Sequence, residues 1–197
     1  MTNTKQTIPE PLPRIANFEK LGFGLFLHWG LYSQLGAGEW VLFHAKNPTE
    51  YNKLQQSFTA VDFNARNWAR LAKAAGMRYI TLTTRHHDGF SLYETCGLSK
   101  FDAPNSAAKR DLVAEFVEAC RAEEIIPFFY HTTIDFQWGK ATPDLPADGG
   151  PNFSEYLDYF HAGVELLAKI TAPLAGSGSM EIGDIPRRIG RKTGSTV

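Results

Sequence analysis

With 197 residues, 43% of them hydrophobic and 13% aromatic, the chain is long enough to enclose one substantial core and too apolar for a disordered polymer. Its 20 basic residues nearly cancel its 21 acidic ones, which argues against a polyanionic partner such as nucleic acid. Its apolar runs fall short of the roughly 20 residues of a membrane span and its N-terminus, MTNTKQTIPEPLP, lacks an apolar signal core, so a soluble cytoplasmic protein is expected.

Residues 1–13 read as a polar, proline-containing lead-in and 14–22 as a short helical turn. A compact hydrophobic strand at 23–27 ends in His28, Trp29 and Gly30. The glycine-rich GAGEW at 36–40 then delivers Glu39 beside Trp40. NPTEYNKLQQSF reads as a short helix with Asn47 as cap, Pro48 at its first position and Glu50 at its third. Spacing predicts the clearest helix over 62–76, with Trp68, Leu71, Ala72 and Ala75 on one face and Gly76 closing it.

A second strand, the β-branched run 79–84, changes abruptly into Arg85, His86, His87 and Asp88, with Gly89 permitting a sharp turn. After the loop 85–107 comes a helix, KRDLVAEFVEACRAEE, with Leu112, Phe116, Val117 and Cys120 at near-helical spacing. A third strand at 125–130 ends in His131, Thr132, Thr133 and Asp135; a proline- and glycine-rich loop and a third helix at 153–169 follow. Repeated strand and helix imply an α/β fold with a parallel sheet, whose polar strand ends share one site. Cys96 and Cys120 have neither metal-site nor disulfide spacing and read as two reduced, unrelated thiols.

His86 and His87 admit three readings. Adjacent imidazoles on an extended end diverge and make a poor metal site without further ligands; they can instead satisfy loop backbone, or bind hydroxyl groups of a small polar ligand. His28 and Trp29 fit either a packed core pair or the same site. Glu39 with Trp40 reads more sharply, because a carboxylate accepts hydrogen bonds from sugar hydroxyls while indole offers a flat apolar face. Tyr130 and His131 add a donor and an acceptor. Glycoside hydrolysis generally uses two carboxylates, and besides Glu39 only Asp88 and Asp135 stand near strand ends.

Taken together, GLFLHWGLYS, GEW, LTTRHHDGFSLY, KRDLVAEFVEACR and PFFYHTTIDFQW resemble the N-terminal half of the catalytic domain of the family 29 glycoside hydrolases, the α-L-fucosidases, over roughly residues 12–169. The resemblance implies the N-terminal part of a (β/α)8 TIM-like barrel, incomplete, from enzymes that hydrolyse terminal α-L-fucose with retention. It implies no cofactor and no metal, and a fucosyl oligosaccharide or glycoconjugate as partner. By the same resemblance His28, Glu39, Trp40, His86, His87 and Tyr130 are substrate-binding residues. Two positions depart from the usual pattern, Val41 after GEW and Phe136 after Asp135, and both bear on subsite shape.

A larger departure concerns the reaction itself. The family nucleophile is the Asp of a WFDG motif on the strand after the third helix, and a later carboxylate is the acid/base; this sequence has neither. Residues 170–197 carry no strand or helix period where a strand is due. With favourable synonymous codons for 169–197, the frame one base earlier reads NYGPIGGFWFDGNWRYSAPDWKEDRLYG, its Asp triplet overlapping Ser179 and Met180. The expectation is a barrel half over 1–169 followed by an out-of-frame tail at 170–197, with no hydrolysis by the 197-residue product. A non-catalytic carbohydrate-binding remnant, or a different barrel enzyme using Glu39 or Asp135 as base, are the alternatives.

Overall fold

A computed structural model of the chain describes residues 10–45, 47–138 and 153–171. Three strands, β1 (Gly24–Leu27), β2 (Tyr79–Arg85) and β3 (Ile126–His131), form a parallel sheet in the order β1-β2-β3. Between β1 and β2 lie the short helices α2 (Val41–Ala45) and α3 (Pro48–Asn52), then α4 (Ala65–Ala74); α5 (Leu112–Ala122) joins β2 to β3. A lead-in helix α1 (Pro13–Glu19) precedes the sheet, and α6 (Phe153–Thr171) follows it. This is the architecture of an incomplete (β/α)8 barrel, with the sheet not closed among the described residues.

The two faces of the sheet are sorted by the strand period of two. Ile80 and Leu82, paired in register with Leu25 and Leu27 on β1, are fully buried in a core shared with Ala69, Ala72, Val113 and Phe116. Each such fully buried Leu, Ile or Phe contributes about 1.5–3 kcal/mol. The opposite face carries Phe26, Tyr79, Phe128 and Tyr130, with Phe18 of α1 packed 5.4 Å from both Tyr79 and Phe128. It is the more open side, Phe26 being 52% exposed. A Cβ on Gly24 would run into the Tyr79 ring, so glycine is what lets that ring lie across β1.

The α4 helix keeps its expected place but turns a different face inward. Asn64, whose side chain accepts from the Asn67 amide at 3.0 Å, starts it three residues later than the spacing predicts. Its buried residues are Ala65, Ala69 and Ala72, with Trp68 half-buried, while Leu71 is 66% exposed. Small side chains let α4 lie close to the sheet and α5, so the alanine stripe wins over the larger apolar residue. Gly76, at φ +77°, ends the helix, and the Met77 amide donates to the Ala72 carbonyl at 2.9 Å.

The Asn47 cap holds as read, accepting from the Glu50 amide at 3.2 Å, with Pro48 opening α3. Asp111 caps α5 through the Ala114 amide at 2.8 Å and also accepts from the Glu94 amide at 3.0 Å. The long loop before it is organised by buried Asp102, which accepts from Thr95 Oγ1 at 2.7 Å and Asn105 Nδ2 at 2.8 Å. Of the stretch expected to be an out-of-frame tail, 170–197, Ile170 and Thr171 form the last residues of α6, where no helix period is expected; 172–197 lies outside the described residues, as does 139–152 of the loop 137–152.

Candidate active site

The strand ends of β1, β2 and β3 bring together five of the six candidate rings and carboxylates as neighbours in contact. His86 lies 5.2 Å from His28 and is stacked on Tyr130 at 5.4 Å. His87 lies 4.2 Å from His86, and the Trp40 indole lies 4.1 Å from His87. Glu39, the sixth, is half-buried beside them and its charge acts on both His86 and His87. His28, Trp40 and Tyr130 are exposed at the rim, whereas His86 and His87 are buried.

The two adjacent imidazoles do not diverge as strand alternation would have them. The ladder shifts register between Thr83 and Arg85, and β2 ends at Arg85, so His86 and His87 stand in a turn rather than on the strand. The Gly89 amide donates to the His86 carbonyl at 3.0 Å, and Gly89 has φ +83°. Among the described residues no three His, Cys, Asp or Glu side chains are grouped to hold a metal ion.

Burial, and then the neighbouring His28, lower the His86 imidazole to a pKa of about 4; burial, and then His86, bring His87 to about 4 as well. Both are therefore neutral at pH 7, each offering one donor and one acceptor nitrogen. His86 Nδ1 and both ring nitrogens of His87 have no protein partner. Buried polar atoms are normally satisfied, so these nitrogens stand out as unpaired among the described residues.

Several residues that hold the cluster carry no local sequence signal. Thr83 Oγ1 accepts from the Trp29 amide at 3.3 Å and meets the Tyr32 hydroxyl at 3.2 Å, fastening the end of β1 to β2. Phe136, noted in the sequence only as a departure, packs 4.7 Å from the His87 ring. Asp88 points away from the rim: Tyr51 Oη donates to it at 2.6 Å and the Phe90 amide at 3.2 Å, and burial raises its pKa to about 6. Asp135 is equally buried, faces Arg85 and is likewise raised to about 6 by burial. Of the three acidic candidates, only Glu39 borders the open cluster.

The alpha-L-fucosidase family profile matches residues 2–169. Rat plasma alpha-L-fucosidase is 32% identical over 145 residues, 65% of this chain and 31% of the relative. Human tissue alpha-L-fucosidase is 32% identical over 143 residues, 64% of this chain and 30% of the relative. The chain thus spans about a third of the length of the curated relatives it matches. Among solved structures, an alpha-L-fucosidase of Bacteroides thetaiotaomicron superposes with TM-score 0.74 at 29% identity, covering 84% of this chain and 40% of that one. Alpha-L-fucosidase isoenzyme 1 of Paenibacillus thiaminolyticus gives 0.70 at 40% identity, covering 81% and 41%.

Proposed function

The chain belongs to the alpha-L-fucosidase family of glycoside hydrolases, and from that membership we propose that its strand-end cluster is the sugar-holding wall of a fucosidase pocket. The ligand is a terminal α-L-fucose of an oligosaccharide or glycoconjugate. Carrying the proposal is one observation: His28, His86, His87, Trp40 and Tyr130, from three strand ends and one loop, converge with unpartnered imidazole nitrogens among them. Neutral imidazoles and Glu39 take hydrogen bonds to ring hydroxyls, and the exposed Trp40 face packs on the apolar side of the sugar.

Retaining hydrolysis uses two carboxyl groups about 5–5.5 Å apart across the scissile bond. In our reading neither lies within residues 1–169, because Asp88 and Asp135 are buried in internal contacts and Glu39 is a binding residue. The family's nucleophile and acid/base belong to later strands, and 170–197 is their out-of-frame remnant. A chain of these 197 residues therefore binds fucose without turning it over, as a carbohydrate-binding remnant also would.

Three measurements test this. L-Fucose titration, followed by histidine NMR, should perturb His86 and His87; silence at both rejects the sugar wall. An aryl α-L-fucoside should not be hydrolysed, and turnover at the rate of a complete fucosidase would falsify the missing-carboxylate reading. The nucleotide sequence after Lys169 should encode WFDG in the neighbouring frame, and a sequence unable to do so removes the frameshift.

A further inference from the structure

We propose that Asp135, held by Arg85, is a positioning residue that sets His87 and the turn 86–89 in place for the ligand, an inference that rests on the sugar-wall reading for its functional meaning. Arg85 is fully buried. Its Nη1 lies 3.6 Å from Asp135 Oδ2, its Nη2 donates to the Thr132 carbonyl at 3.3 Å, and its guanidinium sits 4.9 Å from the Tyr159 ring of α6. A buried cation without its carboxylate is costly, so Arg85 fixes where Asp135 stands.

From there the contacts lead to the histidine. Asp135 Oδ1 accepts from the Gln137 amide at 2.9 Å, which shapes the short 3-10 turn Phe136–Trp138. Within that turn the Phe136 amide donates to the His87 carbonyl at 2.8 Å while its ring backs the imidazole. Gln137 Nε2 donates to the Asp88 carbonyl at 2.9 Å, and its amide group pairs with that of Asn52. Gly89 closes the interlock, because a Cβ there would stand 2.6 Å from Asp135 Oδ1. The residues after β3 thus hold the residues after β2 by backbone and side chain together, and Asp135 is the joint. A carboxylate so enclosed has no path to a substrate, so it positions rather than reacts.

The test compares Asp135→Ala and the conservative Asp135→Asn with Ala69→Gly, a destabilising change in α4, in the full chain. Readouts are the His87 imidazole resonances without ligand, assigned by His87→Gln, and the L-fucose dissociation constant. Asp135→Ala should shift the His87 signals and weaken fucose binding about tenfold. Asp135→Asn, which keeps an acceptor for the Gln137 amide, should fall between it and wild type; it also serves if the alanine variant does not fold. Ala69→Gly should lower Tm and leave His87 unmoved. A folded Asp135→Asn chain with wild-type His87 signals and affinity overturns the proposal, as does an equal displacement of His87 by Ala69→Gly. A wild-type chain that binds no fucose, with His87 still displaced in the Asp135 variants, rejects the sugar reading and leaves the positioning role standing.

Discussion

The rings of Trp40 and His87 have centroids 4.1 Å apart and are tilted by 39°, although one residue follows β1 in a glycine-rich loop and the other follows β2. Trp40 is 43% exposed, so its packing on His87 leaves indole surface open at the rim. Trp40→Ala should weaken L-fucose binding about tenfold, equivalent to about 1.4 kcal/mol. Because the side chain is on the surface, Tm should change little. Isothermal titration beside a thermal melt separates the two effects, and unchanged affinity would remove Trp40 from the site.

Tyr130 stacks on His86 with an interplanar angle of 25°. Tyr130→Phe preserves that stack and deletes only the hydroxyl, so any loss of affinity reports a hydrogen bond to the ligand. A loss of about 0.5–1.5 kcal/mol is expected, with no change in the His86 resonances of the free chain. Tyr130→Ala should move those resonances as well.

Gly89→Ala should be among the most damaging single-methyl additions in the chain. Its φ of +83° disfavours any side chain, and the added Cβ would meet both Asp135 Oδ1 and Gln137 Cγ at 2.6 Å. Asp135 Oδ1 accepts from the Gln137 amide and the Gln137 side chain is held through its Nε2 to the Asp88 carbonyl, so neither yields freely. Destabilisation of about 2–3 kcal/mol is expected in urea unfolding. A midpoint like that of wild type would mean that the two loops are not interlocked there.

The strands and the capped helices were legible because their signals are local: a β-branched run at 79–84, Asn47 before Pro48, Gly76 after the alanine-rich helix. Facing was less so. Leu71 has the greater apolar area, yet Ala69 and Ala72 are buried, because the close approach of α4 to its neighbours is a property of the assembled layers. The candidate rings could be nominated from their strand-end positions, but their mutual contacts depend on the turn at His86, which takes the pair out of strand alternation. Least legible were Arg85 and Asp135, since nothing between positions 85 and 135 announces that one will cover the other.

Acid titration offers a check on the buried polar groups as a set. Burial lowers His131 to about 3, as it lowers His86 and His87 to about 4, and raises Asp88 and Asp135 to about 6. A histidine with a lowered folded pKa gives stability that is complete above its unfolded value of about 6.5 and is lost as pH falls; a carboxyl with a raised one acts oppositely, stabilising as pH falls from about 6 towards 4. Near pH 5 the unfolded chain carries protons on these three histidines, whereas the folded chain carries them on the two aspartates. Unfolding therefore takes up protons on balance, and stability should fall on acidification through this window. Asp135→Asn removes one of the folded-state protons, so the fall should steepen. Urea unfolding of both chains between pH 4.5 and 5.5 measures the difference directly, and equal slopes would mean that Asp135 is ionised throughout, its charge fully held by Arg85.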